Sequence, residues 1–481
     1  VQEHVNSESE NQPSPKQSGP KVLYNTRLPL FHQTQQPTTF VNDKANGFAP
    51  PPPPPPARLF ASDIFASPKL ALTPVESLYI HVPFCFHKCH YCDFYSIVDT
   101  RDRQKAFTDR LCNELRALSP YAGKIKTIFV GGGTPSLLRV DLWHDLLACL
   151  SDAFDLSEIH ANKALPPAQR DTEFTVECNP ETVTTELFDT LNAGGVDRIS
   201  LGAQSFHPQH LKTLERWHDP ANVGKAVQMA RAAGFARVSI DLIFAIPGQT
   251  VDEWRADLLT ALALGTDHVS CYNLTYEANT AMTARLKKGE FEPIDEDTEI
   301  AMYHATWQAL RGAGMRRYEV SNYAFAGQES RHNLAYWRQS QWLAAGPSAS
   351  AHVAGVRWKN LPRLDDYLDI QRDGTSAVMD AEWPDATRAL RERIMTGLRL
   401  AEGLDSERLT AQAEGVCPGS ARRLESRIAL HAQQGNVVPE AENRAENKLR
   451  RWVLTDSGVL MADAIAANLM DALRQGPIRQ V

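Results

Sequence analysis

Three cysteines lie close together in the run His81-Val82-Pro83-Phe84-Cys85-Phe86-His87-Lys88-Cys89-His90-Tyr91-Cys92-Asp93-Phe94, with C-x3-C-x2-C spacing. Thiolates are soft ligands for iron, and three of them can hold three corners of a [4Fe–4S] cubane. A fourth protein thiolate would close the cluster; with three, one iron stays open to a chelating small molecule. A structural zinc site wants four nitrogen or sulfur ligands, and His81, His87 and His90 are near enough in sequence to complete one. The other cysteines, Cys112, Cys149, Cys178, Cys271 and Cys417, are scattered. They read as buried small hydrophobes rather than as a disulfide scaffold.

Further along, polar and glycine residues sit where apolar runs end. Gly131-Gly132-Gly133-Thr134-Pro135 follows one such run. Glycines there let backbone groups approach a ligand with no Cβ in the way, or simply make a tight turn. Glu177, in Val176-Glu177-Cys178-Asn179-Pro180, can accept bonds from ribose hydroxyls or pair with an arginine. Gln204 ends Leu201-Gly202-Ala203-Gln204 and offers an amide. Asp241 is a charge inside an apolar strand, so it needs a partner, structural or ligand. Arg216 could present a bidentate fork to a carboxylate or be a solvated helix residue.

The elements that must position these groups alternate. Candidate strands are Ser77–Val82, Lys126–Val130, Glu173–Glu177, Arg198–Leu201, Arg237–Ile243 and His268–Asn273, with amphipathic stretches between them. That order predicts an α/β fold with a parallel sheet. Six units are too few for a closed eightfold barrel but fit a partial (β/α)6 one, whose chemistry gathers at the C-terminal strand ends.

Residues 1–70 read as a disordered, proline-rich extension, with Pro50–Pro56 an unbroken proline run; a docking segment is the functional alternative. Residues 71–290 hold the strand–helix units. Residues 291–383 carry a helix from Thr298, a strand-like Arg317–Val320 and an aromatic-dense stretch, and 384–481 read as a small, mainly helical domain. The chain has 481 residues, 43% apolar, with a formal charge of −8, which gives no broad reason to bind nucleic acid. No apolar run of transmembrane length and no secretory pattern is visible, so a cytoplasmic protein is expected.

The cysteine run, with Tyr91 before its third cysteine, resembles the radical-SAM superfamily. In that superfamily the open iron binds S-adenosylmethionine (SAM) and the aromatic residue lies against the adenine. Tyr79-Ile80-His81-Val82-Pro83-Phe84-Cys85, Gly131–Pro135, Glu177–Pro180, Gly195-Val196-Asp197-Arg198 and Asp241–Thr250 resemble its oxygen-independent coproporphyrinogen-oxidase-like branch over most of residues 77–473. The resemblance implies a radical-SAM barrel, a [4Fe–4S] cluster on Cys85, Cys89 and Cys92, and SAM contacts from Tyr79, Tyr91, Gly132, Gly133, Thr134, Glu177, Gln204, Arg216 and Asp241.

Within the branch, the true oxidase has a further cysteine where this chain has Phe94. Heme chaperones of the HemW type instead have C-D-F there and an H-N-x-x-Y-W motif, matched by His332-Asn333-Leu334-Ala335-Tyr336-Trp337. The similarity implies heme contact by His332, Asn333, Tyr336 and Trp337, apo-hemoprotein acceptors that include membrane-associated ones, and an electron donor. The alternative is coproporphyrinogen III oxidation to protoporphyrinogen IX. On the residues alone, His332 could ligate heme iron or merely bond within the core. The chain departs from the family pattern after the motif, where Ala344 replaces a glycine and His352 is displaced. No catalytic residue is assigned.

Overall fold

A computed structural model describes residues 58–369, 372–439 and 450–474. Nine strands form one sheet: β1 (Val75–Val82), β2 (Ala122–Gly132), β3 (Glu173–Cys178), β4 (Arg198–Gln204), β5 (Arg237–Phe244), β6 (His268–Asn273), β7 (Arg316–Arg317), β8 (Asn322–Ala324) and β9 (Leu343–Ala345). Their spatial order is β7-β8-β6-β5-β4-β3-β2-β1-β9. Strands β1 to β6 are parallel and adjacent in chain order, β9 adds in parallel beside β1, and β8 closes the other side antiparallel to β6. This is the α/β arrangement around a parallel sheet expected from the alternating pattern.

Apolar residues alternate along the strands with polar ones such as Thr175, Ser200, Asp241 and Ser270, so one face of the sheet packs in the core and the other carries the polar set. Side chains such as Ile80, Val130, Val176, Leu201 and Ile240 are fully buried. The crossover helices start on side-chain caps. Thr184 accepts from Leu187 N–H, and Thr250 with Glu253 forms a reciprocal capping box.

Arg317–Val320 is not one strand. Glu319, buried in the core, accepts from Ser321 N–H and the Asn322 amide, and this bends the chain between β7 and β8. A second sheet of β10 (Ser350–Val353), β11 (Val356–Asn360) and β12 (Val378–Glu382) is antiparallel. Asn360 fastens it to the barrel: its amide donates to Glu114 and to Gly346 O. A methyl group on Gly346 would lie 2.4 Å from His81 O, so that glycine keeps the small sheet against the end of β1.

The extension's residues 1–57 lie outside the described residues. Residues 58–70 correct the expectation of disorder up to residue 70. A helix at Ala61–Phe65 buries Ala61, Ile64 and Phe65, Phe65 stacks on Tyr121, and Asp63 pairs with Arg372. The C-terminal region, expected to be mainly helical, has helices at Ala386–Gly397, Ser406–Val416 and Ser420–Gln433. It also holds a three-stranded antiparallel sheet, β13 (Leu404–Asp405), β14 (Val437–Pro439) and β15 (Arg451–Leu454), which the helical reading missed. The late helix breaks at Met461 into Asp456–Leu460 and Ala462–Asp471.

Candidate functional site

The three cysteines sit in the loop after β1, at the C-terminal rim of the sheet, and all three are partly accessible. The loop is pinned from both sides. His90 N–H donates to Leu214 O, and Met282 N–H donates to His90 O. Tyr91 is buried with Leu214, Ile243, Ile246, Leu274 and Met282, and Cys89 and Cys92 pack against that group. Cys85 Sγ lies 3.5 Å from Thr134 Oγ1, and the Arg216 guanidinium approaches Cys89 Sγ at 3.9 Å while donating to Gly202 O. Burial pushes the Cys92 thiol up to about 11. A buried thiolate therefore needs a cation beside it, as iron would supply.

Among the described residues no three His, Cys, Asp or Glu side chains converge on a single-ion position. A zinc site requires that convergence, whereas a cubane takes each thiolate on a different iron. The donor set, soft sulfurs around one partly open loop with an arginine at its edge, fits a cluster.

The glycine triplet has a clear steric reason. Gly133 N–H donates to Val82 O and Thr134 N–H to Phe84 O, so the segment lies directly against the cysteine loop. A Cβ on Gly133 would lie 2.6 Å from Phe84 O. Gly132, at φ +106°, faces the His81 ring at 2.5 Å from any added Cβ.

A cavity of about 590 Å³ runs from this loop along the inner face of the sheet, within the range for cofactor-sized ligands. Tyr79, Cys92, Gly132, Glu177 and Asp241 line it, as do His332, Asn333 and Tyr336. The lining does not include Cys85, Cys89, Tyr91, Gly133, Thr134, Gln204 or Arg216, which belong to the cysteine loop and its supports. Trp337 is also outside the lining and buried in the core.

Among the described residues Glu177 pairs with no arginine. It accepts from Gly132 N–H at 3.3 Å, and burial beside Asp241 raises its carboxyl to about 8. Asp241 finds its partners in the hydroxyls of Ser200 and Ser270. Burial raises its carboxyl too.

The cavity is layered by strand register. Ser77 pairs with Thr127, Tyr79 with Phe129, and His81 with Gly131. Residues two apart share a face, so these layers span roughly 13 Å from the Ser77 level to the His81 level. His332 belongs to the first level and the cysteine loop to the last.

His332 sits in the helix Arg331–Trp337, fully buried, between Thr127 and Tyr336. The Thr127 hydroxyl donates to Ser77, so it accepts from His332 Nδ1–H at 2.8 Å. That leaves the Nε2 lone pair, which takes the Tyr336 hydroxyl at 3.0 Å. Burial lowers the imidazole to about 4, so it is neutral. The helix itself starts on Glu173, whose carboxylate accepts from Ser330 Oγ and from the backbone N–H of Arg331 and His332.

Aromatic rings make a continuous wall. Successive centroid distances are 6.1 Å for His81–Tyr79, 6.4 Å for Tyr79–Phe129 and 5.5 Å for Phe129–His332. The wall continues at 4.7 Å for His332–Tyr336, 4.5 Å for Tyr336–Trp342 and 5.1 Å for Trp342–His352.

Sequence reasoning passed over Phe129, Trp342 and Lys359 as cavity residues, and left His352 without a place. His81, read from the sequence only as a possible zinc ligand, also lines the cavity, two residues on from Tyr79 along the same strand face. His352 does line the cavity, with Nδ1 donating to Ser340 O.

Residues 79–261 match the Radical SAM superfamily model. The heme chaperone HemW of Mycobacterium tuberculosis is 35% identical over 411 residues, covering 84% of this chain and 97% of that protein. The heme chaperone HemW of Escherichia coli is 36% identical and covers 82% and 97%. In solved structures the fold is similar to coproporphyrinogen III oxidase (HemN) of Escherichia coli, a radical SAM enzyme, with TM-score 0.67 and 21% identity over 83% of this chain and 90% of that one. Matches to HemW-named relatives are thus closer in sequence than the likeness to the oxidase, and the superfamily implies a [4Fe–4S] cluster and SAM.

Proposed function

This chain belongs to the HemW family of the radical SAM superfamily, and from that premise we propose that it binds heme in the barrel cavity and hands it to apo-hemoproteins. The observation that carries the reading is His332: a buried neutral imidazole among the cavity's lining residues, whose Nδ1–H is fixed by Thr127 and whose Nε2 lone pair is held by a single hydroxyl, that of Tyr336. A metal-ligating histidine needs that arrangement, with one nitrogen donating to an orienting partner and the other free to give its lone pair. Here only the Tyr336 hydroxyl has to turn aside.

The aromatic wall from Tyr79 to Trp342 offers ring faces to a flat macrocycle and keeps water from it. Asn333 braces the motif from the other side, donating to Tyr318 Oη and Glu319. Cys85, Cys89 and Cys92 would hold the cluster. Tyr91 would lie against the adenine of SAM, and Gly132, Gly133, Thr134, Glu177, Gln204, Arg216 and Asp241 would serve its other parts. When bound, the cluster and SAM supply one-electron chemistry at the sulfonium. The chain's own contribution is to orient, to exclude solvent and to keep His332 neutral.

No helix among the described residues is long and apolar enough to cross a membrane. A reducing compartment such as the cytoplasm suits cysteines that are all uncrosslinked. Acceptors that include membrane-associated hemoproteins, and a separate electron donor, complete the reading.

The test is anaerobic reconstitution followed by heme titration of wild type and His332→Ala. Stoichiometric uptake with a Soret band that shifts or weakens in the variant is expected. Uptake of no heme by cluster-loaded protein would sink the proposal. So would conversion of coproporphyrinogen III to protoporphyrinogen IX at catalytic rates, which would make the chain an oxidase.

A further inference from the structure

The cavity wall opposite the barrel strands comes from the small sheet. Ser350, His352, Arg357 and Lys359 all line the cavity, because Ser350 faces Lys359 and His352 faces Arg357 across β10 and β11. Residues two apart on a strand share a face, so Arg357 and Lys359 present two cations to the same space. Their situations differ. The Arg357 guanidinium is engaged by Glu392 and, at 3.9 Å, by Glu382. Lys88, on the cysteine loop, is engaged by Phe94 O at 2.7 Å and by Ser96 Oγ.

Lys359 is half-buried, and Asp93 is a carboxylate that acts on it electrostatically. Its place is fixed by its neighbour Asn360, which ties β11 to Gly346 and so to the end of β1 at His81. Burial lowers the Lys359 ammonium against the opposing pull of Asp93. The cavity thus combines an aromatic wall with an ammonium among its lining residues, the pair of features that suits a flat apolar ring carrying carboxylates at its edge.

We propose that Lys359 receives a propionate carboxylate of the tetrapyrrole and so orients the macrocycle in the cavity. The inference rests on the heme reading given above and deepens it by naming the group that selects the acid edge. The other carboxylate that could come here is the one on the methionine end of SAM. The structure favours the tetrapyrrole, because Arg216 stands beside Cys89 and outside the lining, while Lys359 shares its wall with His352 and the Trp342 end of the aromatic series.

The experiment uses the full chain with its cluster reconstituted anaerobically, titrated by absorbance with heme and with heme dimethyl ester, in which both carboxylates are masked. Wild type is expected to hold the free acid about tenfold or more tighter than the ester, the scale of one charge-assisted hydrogen bond. Lys359→Gln is expected to lose most of that preference, and Lys359→Arg to keep it. A Lys359→Gln protein that still prefers the acid as wild type does overturns the inference, as does a Lys359→Arg protein that does not. Wild type that binds acid and ester equally overturns it while leaving the heme reading intact. Lys359→Gln that retains heme but no longer perturbs its cluster spectrum on adding SAM assigns the cation to SAM instead. Wild type that takes up neither form of heme removes the underlying reading and this inference together.

Discussion

Tyr336 Oη lies 3.0 Å from His332 Nε2, so the tyrosine of the H-N-x-x-Y-W motif occupies the lone pair of its histidine one helical turn away. The contact is a gate as well as a bond. Removing the hydroxyl leaves Nε2 open to the cavity at no cost in ring packing.

Tyr336→Phe should therefore bind heme at least as tightly as wild type, whereas His332→Ala should weaken binding or change the Soret position. Absorbance titration of both variants separates an axial role for His332 from a packing one. If Tyr336→Phe loses heme as severely as His332→Ala, the hydroxyl rather than the imidazole is the important group.

Thr127→Val keeps the shape but removes the acceptor for His332 Nδ1–H. A buried donor left unpaired costs about 1–3 kcal/mol, so the urea midpoint should fall. The freed imidazole can also adopt its other tautomer, and heme affinity should drop further than stability alone accounts for.

Gly133→Ala puts a Cβ 2.6 Å from Phe84 O, on backbone that cannot yield as a flexible side chain would. The cysteine loop should be displaced, and iron and sulfide content after reconstitution should fall well below wild type. Gly312→Ala, at the end of the helix Glu296–Gly312 and with nothing within 4 Å of the added Cβ, should leave cluster content unchanged. Equal iron in both variants would show that the close approach is not needed for cluster binding.

Acid should weaken the fold of the ligand-free protein through its buried neutral histidines. Burial lowers His81 and His332 to about 4, and His218, beside Arg216, likewise to about 4. An unfolded histidine titrates near 6.5. Between pH about 6.5 and 4 the unfolded state binds the extra protons, so stability falls as pH drops through that window and is fully present above it. Each such group is worth roughly 3 kcal/mol by pH 4, from a shift of about 2.5 units at 1.36 kcal/mol each. His332→Gln should flatten the slope of urea stability against pH. Glu177 works in the opposite sense: raised to about 8, it stabilises below its unfolded value and loses that contribution as pH rises through 8.

Glu173→Gln should destabilise by about 2–4 kcal/mol, because it removes the charge on a fully buried carboxylate that caps the motif helix. Against the upward push of burial, Arg198 and Arg237 hold Glu173 below the usual carboxylate range. Neutralising it leaves those guanidinium groups under-compensated. A midpoint within error of wild type would mean that the arginines are satisfied elsewhere, Arg237 by Asp197 and Arg198 by Gln328 O.

The strands were legible because their residues alternate or run apolar over short spans. His268–Asn273 has the same bounds in sequence and structure, and β1 and β5 differ only at their ends. The break at Glu319 was not legible, because a buried carboxylate folding back on its own following residues leaves no periodic mark. The helix Ala61–Phe65 was hidden in a polar, proline-rich context, where only packing against distant residues such as Tyr121 and Arg372 makes it pay.

The sequence by itself determined the candidate cysteine triad, the order of strands and helices, and the family, since each is written in residue types at short, fixed spacing. Only the tertiary structure decided which motif residues meet in the cavity. It brings Thr127 to His332 across 205 positions, turns Trp337 into the core, leaves Gln204 outside the lining, and sets Lys359 beside His81. Those pairings depend on how sheet register and a glycine's close approach stack separate segments, and no local pattern in the chain encodes the distance between them.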